Sequence, residues 1–251
     1  MTNRSVEGSG RGASPAARTL TVGRGRRSQV SYRQEDGTFG LGRADVDIVF
    51  VFDTTGSMCS KIEALVATIS ELVADLDGFN LDWRVSVVPF GDLKVPGDRI
   101  VGSLPFTSQV SVAQQQLRDM PRFSGGGNAG ESSIEAVLAG LDKEFRPSAV
   151  RVLVLLTDEP AHGCDRASRV AQRLLDDEVV YFGVTPPLRY FQQWAEATGG
   201  RWYRMCADAR PDGLLELLRS LCREVADVSR RVHELAGGSV ATYRSLPPGG
   251  R

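Results

Sequence analysis

The chain has 251 residues, 41% of them apolar, and a formal charge of −1. That is enough for one α/β domain of ordinary size with a substantial core, and two full domains are not expected. No apolar run reaches about eighteen residues and the N-terminal stretch lacks the apolar segment of a secretory signal, so no membrane span is expected and the cytoplasm is the default compartment. Cys59, Cys164, Cys206 and Cys222 are scattered without C-x-x-C spacing, which argues for reduced thiols and against a zinc site.

Residues 1–43 form an Arg/Gly/Ser-rich leader, expected to be partly disordered or a short β arm built from "TLTV" and "SQVSY". Up to residue 45, eight arginines face only Glu7, Glu35, Asp36 and Asp45. No aromatic stacking platform accompanies this charge, so a solvated leader is expected and nucleic acid is not the expected partner. From residue 44 to 235 strands alternate with helices, the pattern of a mostly parallel sheet wrapped by helices. The expected fold is therefore α/β, a Rossmann-like doubly wound sheet flanked by helices.

"VDIVFVFD" reads as a continuous apolar strand ending on Asp53. After it, Ile62, Leu65, Val66, Ile69, Leu72, Val73 and Leu76 fall at helical spacing, with Ser60 and Glu63 as a capping box, so the helix should begin near Ser60. Further on, "WRVSVVPF" reads as a strand, "VGSLPFT" as a short edge strand and "SVAQQQLRDM" as a short helix. "GGGNAGESSIEAVLAGLDKEF" is a glycine loop feeding a helix, and "VRVLVLLTD" is a second apolar strand that runs out onto Asp158. A helix over 165–177, the strand "VVYFGVT", a helix at "LRYFQQWAEATG", the strand "RWYRM" and the amphipathic helix "GLLELLRSLCREVADVSRRV" complete the domain. Residues 236–251 read as a flexible C-terminal tail.

In open parallel sheets the loops leaving the carboxyl ends of the strands gather at one edge, where ligands bind. Three such loops carry oxygen-bearing side chains: "DTTGS" with Asp53, Thr55 and Ser57, "GGGNAGES" with Asn128, Glu131 and Ser132, and "TDEPAH" with Asp158 and Glu159. Carboxylates and hydroxyls suit a hard cation, Mg²⁺ or alternatively Mn²⁺ or Ca²⁺. The competing reading is that Asp53 and Asp158 only cap the helices that follow them. A dinucleotide site would need a G-x-G-x-x-G run after the first strand, and a haloacid-dehalogenase-type phosphatase would need a second aspartate where Thr55 stands. No base or nucleophile stands out beside the three loops, and His162 reads as a residue that holds the third loop in shape.

The three loops resemble those of the von Willebrand factor A domain family, whose metal-ion-dependent adhesion site combines a D-x-S-x-S loop, a second-loop oxygen ligand and a third-loop aspartate. The resemblance covers residues 44–232. It maps the first loop onto Asp53, Thr55 and Ser57, with threonine keeping the middle hydroxyl, and the third-loop aspartate onto Asp158. "NAGE" is similar to the segment of integrin β subunits and hemicentin-like A domains that gives a glutamate to the metal, which puts Glu131 among the ligands. Asn128 and Gly130 replace the aspartate and proline of that segment, and "SMCSK" lacks the paired aspartates of integrin β subunits, so one metal site is expected. Asn128, Asp92 and Glu159 remain accessory candidates. The resemblance implies no catalysis but a module that binds an aspartate or glutamate of a protein partner through the cation. It further implies an adaptor in a bacterial cytoplasmic system, with a MoxR-type AAA+ ATPase or a kinase/phosphatase system as partner. A metal-dependent hydrolase using Asp53, Glu131 and Asp158, and a degenerate scaffold that binds partners without metal, are the alternatives.

Overall fold

The structure, a computed structural model, describes residues 32–33, 39–40, 43–76, 81–125, 130–205 and 211–247. Its first elements are β1 (Tyr32–Arg33) and β2 (Phe39–Gly40), an antiparallel pair with Tyr32 opposite Gly40. The expected strand "TLTV" lies outside the described residues, and of "SQVSY" only Tyr32 lies within them.

The main sheet is built from β3 (Ala44–Asp53), β4 (Leu81–Phe90), β5 (Val150–Leu156), β6 (Val179–Thr185) and β7 (Trp202–Arg204), in the order β4-β3-β5-β6-β7. Every pairing is parallel. Strands of this kind are buried on both faces, which is why β3, β5 and β6 are rich in Val, Ile, Leu and Phe. One face of the sheet, with Ile48, Phe50 and Phe52, packs against α1 (Cys59–Asp75), α2 (Val110–Arg118), α6 (Pro211–Ala236) and α7 (Val240–Ser245). The other, with Val49, Val51 and Leu153, packs against α3 (Ser133–Leu141), α4 (Ala167–Asp176) and α5 (Arg189–Thr198).

This order fixes where a ligand can sit. From β3 the chain crosses outward to β4, then returns to place β5 on the other side of β3. The connections therefore diverge above the carboxyl ends of β3 and β5, the switch point at which doubly wound sheets open a crevice. Asp53 is the last residue of β3, and Thr157 and Asp158 follow directly on β5.

Four expectations need correction. Asp47 interrupts the apolar run of β3 that the sequence suggests is continuous. It is fully buried, and Arg84 (Nη2 at 2.6 Å) and Arg146 (Nε at 2.9 Å, backbone N at 2.7 Å) neutralise it. A buried carboxylate persists only when paired in this way. The helix α1 starts at Cys59, near Ser60 as expected, behind a 3₁₀ turn over Gly56–Met58, but Ser60 lies inside its first turn and so does not form the expected capping box. "VGSLPFT" runs antiparallel beside β4 but forms no strand there: isolated bridges stand at its end, Thr107 to Val85, and just before it, Ile100 to Phe90. Pro105 has no N–H to continue a ladder there. The tail carries α7, whose Val240 and Tyr243 are buried in the same apolar layer as α6. Gly237 and Gly238 adopt positive φ (58° and 85°) and turn the chain back at the end of α6, so the pair ends one helix and aims the next. Residues 248–251 lie outside the described residues.

Candidate metal centre

Asp53 is completely buried, yet its carboxylate is well supplied with donors. Oδ1 accepts the Thr55 hydroxyl at 2.6 Å and the Thr55 backbone N–H at 3.0 Å, and Oδ2 accepts the Thr157 hydroxyl at 2.6 Å. Across the switch point, the Ser57 hydroxyl donates to Asp158 Oδ1 at 2.8 Å, and Lys61 Nζ lies 2.7 Å from Asp158 Oδ2. Thr55 Oγ1 and Ser57 Oγ stand 3.3 Å apart and join the two halves into one string, Thr157–Asp53–Thr55–Ser57–Asp158–Lys61.

The first loop is pinned from below and from the side. The Thr54 N–H donates to the Phe90 carbonyl, the Phe123 N–H to the Thr54 carbonyl and the Gly56 N–H to the Gly125 carbonyl. Asp98 holds the neighbouring segments, accepting from the N–H groups of Asp92 (3.1 Å), Ser124 (3.1 Å) and Gly125 (2.9 Å).

Glu131 comes from the second loop. Its N–H donates to the Pro160 carbonyl and its carbonyl accepts from the His162 N–H, both at 2.8 Å, so two backbone hydrogen bonds stitch the second loop to the third. Tyr190 of α5 steadies the third loop by accepting the Ala161 N–H at 2.8 Å. Gly130 takes φ +131°, which the ring of a proline cannot adopt, and an added Cβ would lie 2.8 Å from His162 Nδ1. The geometry thus requires the glycine at which this chain departs from the D-x-P-E pattern. His162 ties the third loop to the loop after β4, with Nδ1 3.0 Å from Lys94 Nζ and Nε2 3.2 Å from Asp92 Oδ1, the latter contact out of line for a hydrogen bond.

The Glu131 carboxylate is the unusual group. The residue is fully buried and neither oxygen accepts a hydrogen bond from the described residues. The Thr55 hydroxyl is near enough to ease its ionisation slightly, but its proton is committed to Asp53. Burial first, and then the charges of Asp53 and Asp92, push Glu131 up to about 8. Asp53 is pushed up to about 6 by burial, partly offset by its hydrogen bonds from Thr157 and Thr55. Glu159, on the rim, is shifted upward by burial and by Asp158.

Such an arrangement suits a hard cation. Each hydroxyl gives its proton to a carboxylate and keeps its lone pairs, and the two oxygens are separated by little more than the about 3 Å expected between adjacent ligands of octahedral Mg²⁺. Glu131 presents two buried oxygens with no hydrogen-bond partner among the described residues. Among the described residues no three histidine, cysteine, aspartate or glutamate side chains form a metal cage by themselves, so the hydroxyls of Thr55 and Ser57 would be needed as ligands. Asp158, whose charge the Lys61 ammonium already offsets, is the weaker donor and stands as an indirect contributor.

Of the sequence-derived candidates, Asp53, Thr55, Ser57, Glu131 and Asp158 are brought together. Asp92 is buried beside them, bonded to the Ser132 hydroxyl at 3.4 Å and to the Lys94 N–H at 3.0 Å. Asn128 lies outside the described residues. Thr157, Asp98 and Lys61 were not foreseen. A hydroxyl directly before Asp158 and a lysine one helical turn after Ser57 were the available signals for two of them, whereas nothing local marks Asp98.

The family model of the von Willebrand factor type A domain matches residues 47–196. No curated protein matches the chain significantly. No helix among the described residues is long and apolar enough to cross a membrane.

Proposed function

The chain belongs to the von Willebrand factor type A domain family, and on that premise we propose that it is a metal-dependent protein-interaction module. Asp53, Thr55, Ser57 and Glu131 would hold one divalent cation, Mg²⁺ first and Mn²⁺ or Ca²⁺ as alternatives, with Asp158 acting at one remove. The ion would leave a coordination position for an aspartate or glutamate of the partner. The observation that carries this reading is Glu131: a fully buried carboxylate whose two oxygens have no hydrogen-bond partner among the described residues is a standing cost that a cation would remove. Its origin in the second loop favours the variant of the adhesion site seen in integrin β subunits and hemicentin-like domains. Around the site, Leu93 (49% exposed), Lys94 and Pro160 offer an exposed rim on which a partner could rest.

No observation favours the hydrolytic reading: His162, the histidine beside the loops among the described residues, lies against Asp92 and Lys94. The first partner classes to test are MoxR-type AAA+ ATPases and kinase/phosphatase systems of a bacterial cytoplasm. The test is titration of the protein with Mg²⁺ and Mn²⁺, followed by calorimetry and by the spin resonance of Mn²⁺, beside Glu131→Gln. Saturable binding of one ion per chain, lost in the variant, is the expected outcome. Equal behaviour of the two proteins would overturn the assignment of Glu131.

A further inference from the structure

Lys61 lies on the first turn of α1, one turn after Ser57, and reaches back into the loops. Its Nζ stands 2.7 Å from Asp158 Oδ2 and 3.4 Å from the Ser57 carbonyl oxygen. Lys61 and Asp158 are each only 6% exposed. A buried ion pair contributes little net stability, since desolvating the two charges offsets most of their attraction. A hydroxyl or an amide could have positioned Asp158 just as well, and what an ammonium adds is charge. With Oδ2 paired to the Lys61 ammonium and Oδ1 accepting from Ser57, Asp158 has little uncompensated charge to offer an ion.

We propose that Lys61 is an internal counter-cation of the metal site, a positioning residue that neutralises Asp158 and holds the affinity for divalent cations below what the same carboxylates would otherwise give. The inference rests on the metal-binding reading above. Its physical basis is like-charge repulsion in a poorly solvated loop cluster, together with removal of one carboxylate from the charge available to the ion. A less neutralised ion attracts a partner carboxylate more strongly, so occupancy of the site and arrival of the partner become coupled.

The test compares wild type, Lys61→Met, Lys61→Gln and Lys61→Arg, each titrated with Mn²⁺ and each melted in EDTA. Lys61→Met removes the charge and keeps the stem. Lys61→Gln also keeps a donor for Asp158 and serves if the methionine variant does not fold. Removing one like charge close to a divalent ion should tighten Mn²⁺ binding about tenfold or more in the neutral variants, while Lys61→Arg stays near wild type. A purely structural role would lower the melting temperature in EDTA and leave the Mn²⁺ affinity unmoved, which overturns the proposal. Weaker Mn²⁺ binding in the neutral variants also overturns it. No binding in wild type with saturable binding in Lys61→Met would sustain the inference while failing the metal-dependent reading of the native chain. No binding in any of the four proteins ends both.

Discussion

In the metal-free protein Asp53 should work against stability as the pH rises, and Asp53→Asn isolates that effect. Burial raises the Asp53 carboxyl from 3.8 to about 6 in the folded state. A carboxyl whose folded pKa is raised contributes stability that is fully present below about pH 4 and is lost as the pH rises through about 6, because the unfolded chain releases its proton first. The separation is about two units, so the loss is about 3 kcal/mol between those limits. The amide of the variant cannot titrate and carries a constant offset instead, since the Thr157 hydroxyl must reorient to accept from it. Denaturant unfolding in EDTA at pH 4.5, 5.5, 6.5 and 7.5 measures both proteins. The variant should be the less stable at pH 4.5, and most of that gap should close by pH 7.5. A difference that is constant across the range, or that widens with pH, would refute the reasoning and show Asp53 ionised at ordinary pH by its hydrogen bonds.

Glu131→Gln should raise the melting temperature in EDTA at pH 9, where the wild type must bury an unpartnered charge, and change it little near pH 4, below the pKa of the unfolded carboxyl; a lower melting temperature at pH 9 would count against the carboxylate being unpartnered. Asp47→Asn leaves Arg84 and Arg146 without their buried partner and should cost about 3–5 kcal/mol in denaturant unfolding. Its Mn²⁺ affinity should not change, since six strand residues, about 20 Å, separate it from Asp53. Gly130→Ala forces a side chain onto a backbone at φ +131° and against His162, so it should weaken Mn²⁺ binding while costing only about 1–3 kcal/mol of stability. Unchanged Mn²⁺ affinity there would show that the second loop does not need its present path.

By itself the sequence determined the α/β class, the strands β3 to β7 and the helices between them, because runs buried on both faces and amphipathic helices differ in period and are local properties of the chain. It also marked Asp53, Ser57, Glu131 and Asp158 as a set, since polar residues at the ends of parallel strands must gather at one edge of the sheet. Only the tertiary structure decided how their charges are arranged. Thr157 satisfies Asp53 from a strand 104 residues away in the chain, and Lys61 claims Asp158 across a separation of 97. Thr157 and Lys61 stand at recognisable places beside the motifs, but the partner each takes is not legible along the chain, because hydrogen bonds and ion pairs form between groups that folding brings together. Asp47 shows the same limit, for the run reads as continuous and apolar along the chain, and the carboxylate within it is tolerated only because Arg84 and Arg146 arrive from other segments. The tail misled for a related reason: Gly237–Gly238 is a linker by composition and a helix stop by conformation, and the layer that buries Val240 and Tyr243 exists only once α6 has docked. Pattern along the chain fixes the elements, and the balance of buried charge is settled where they meet.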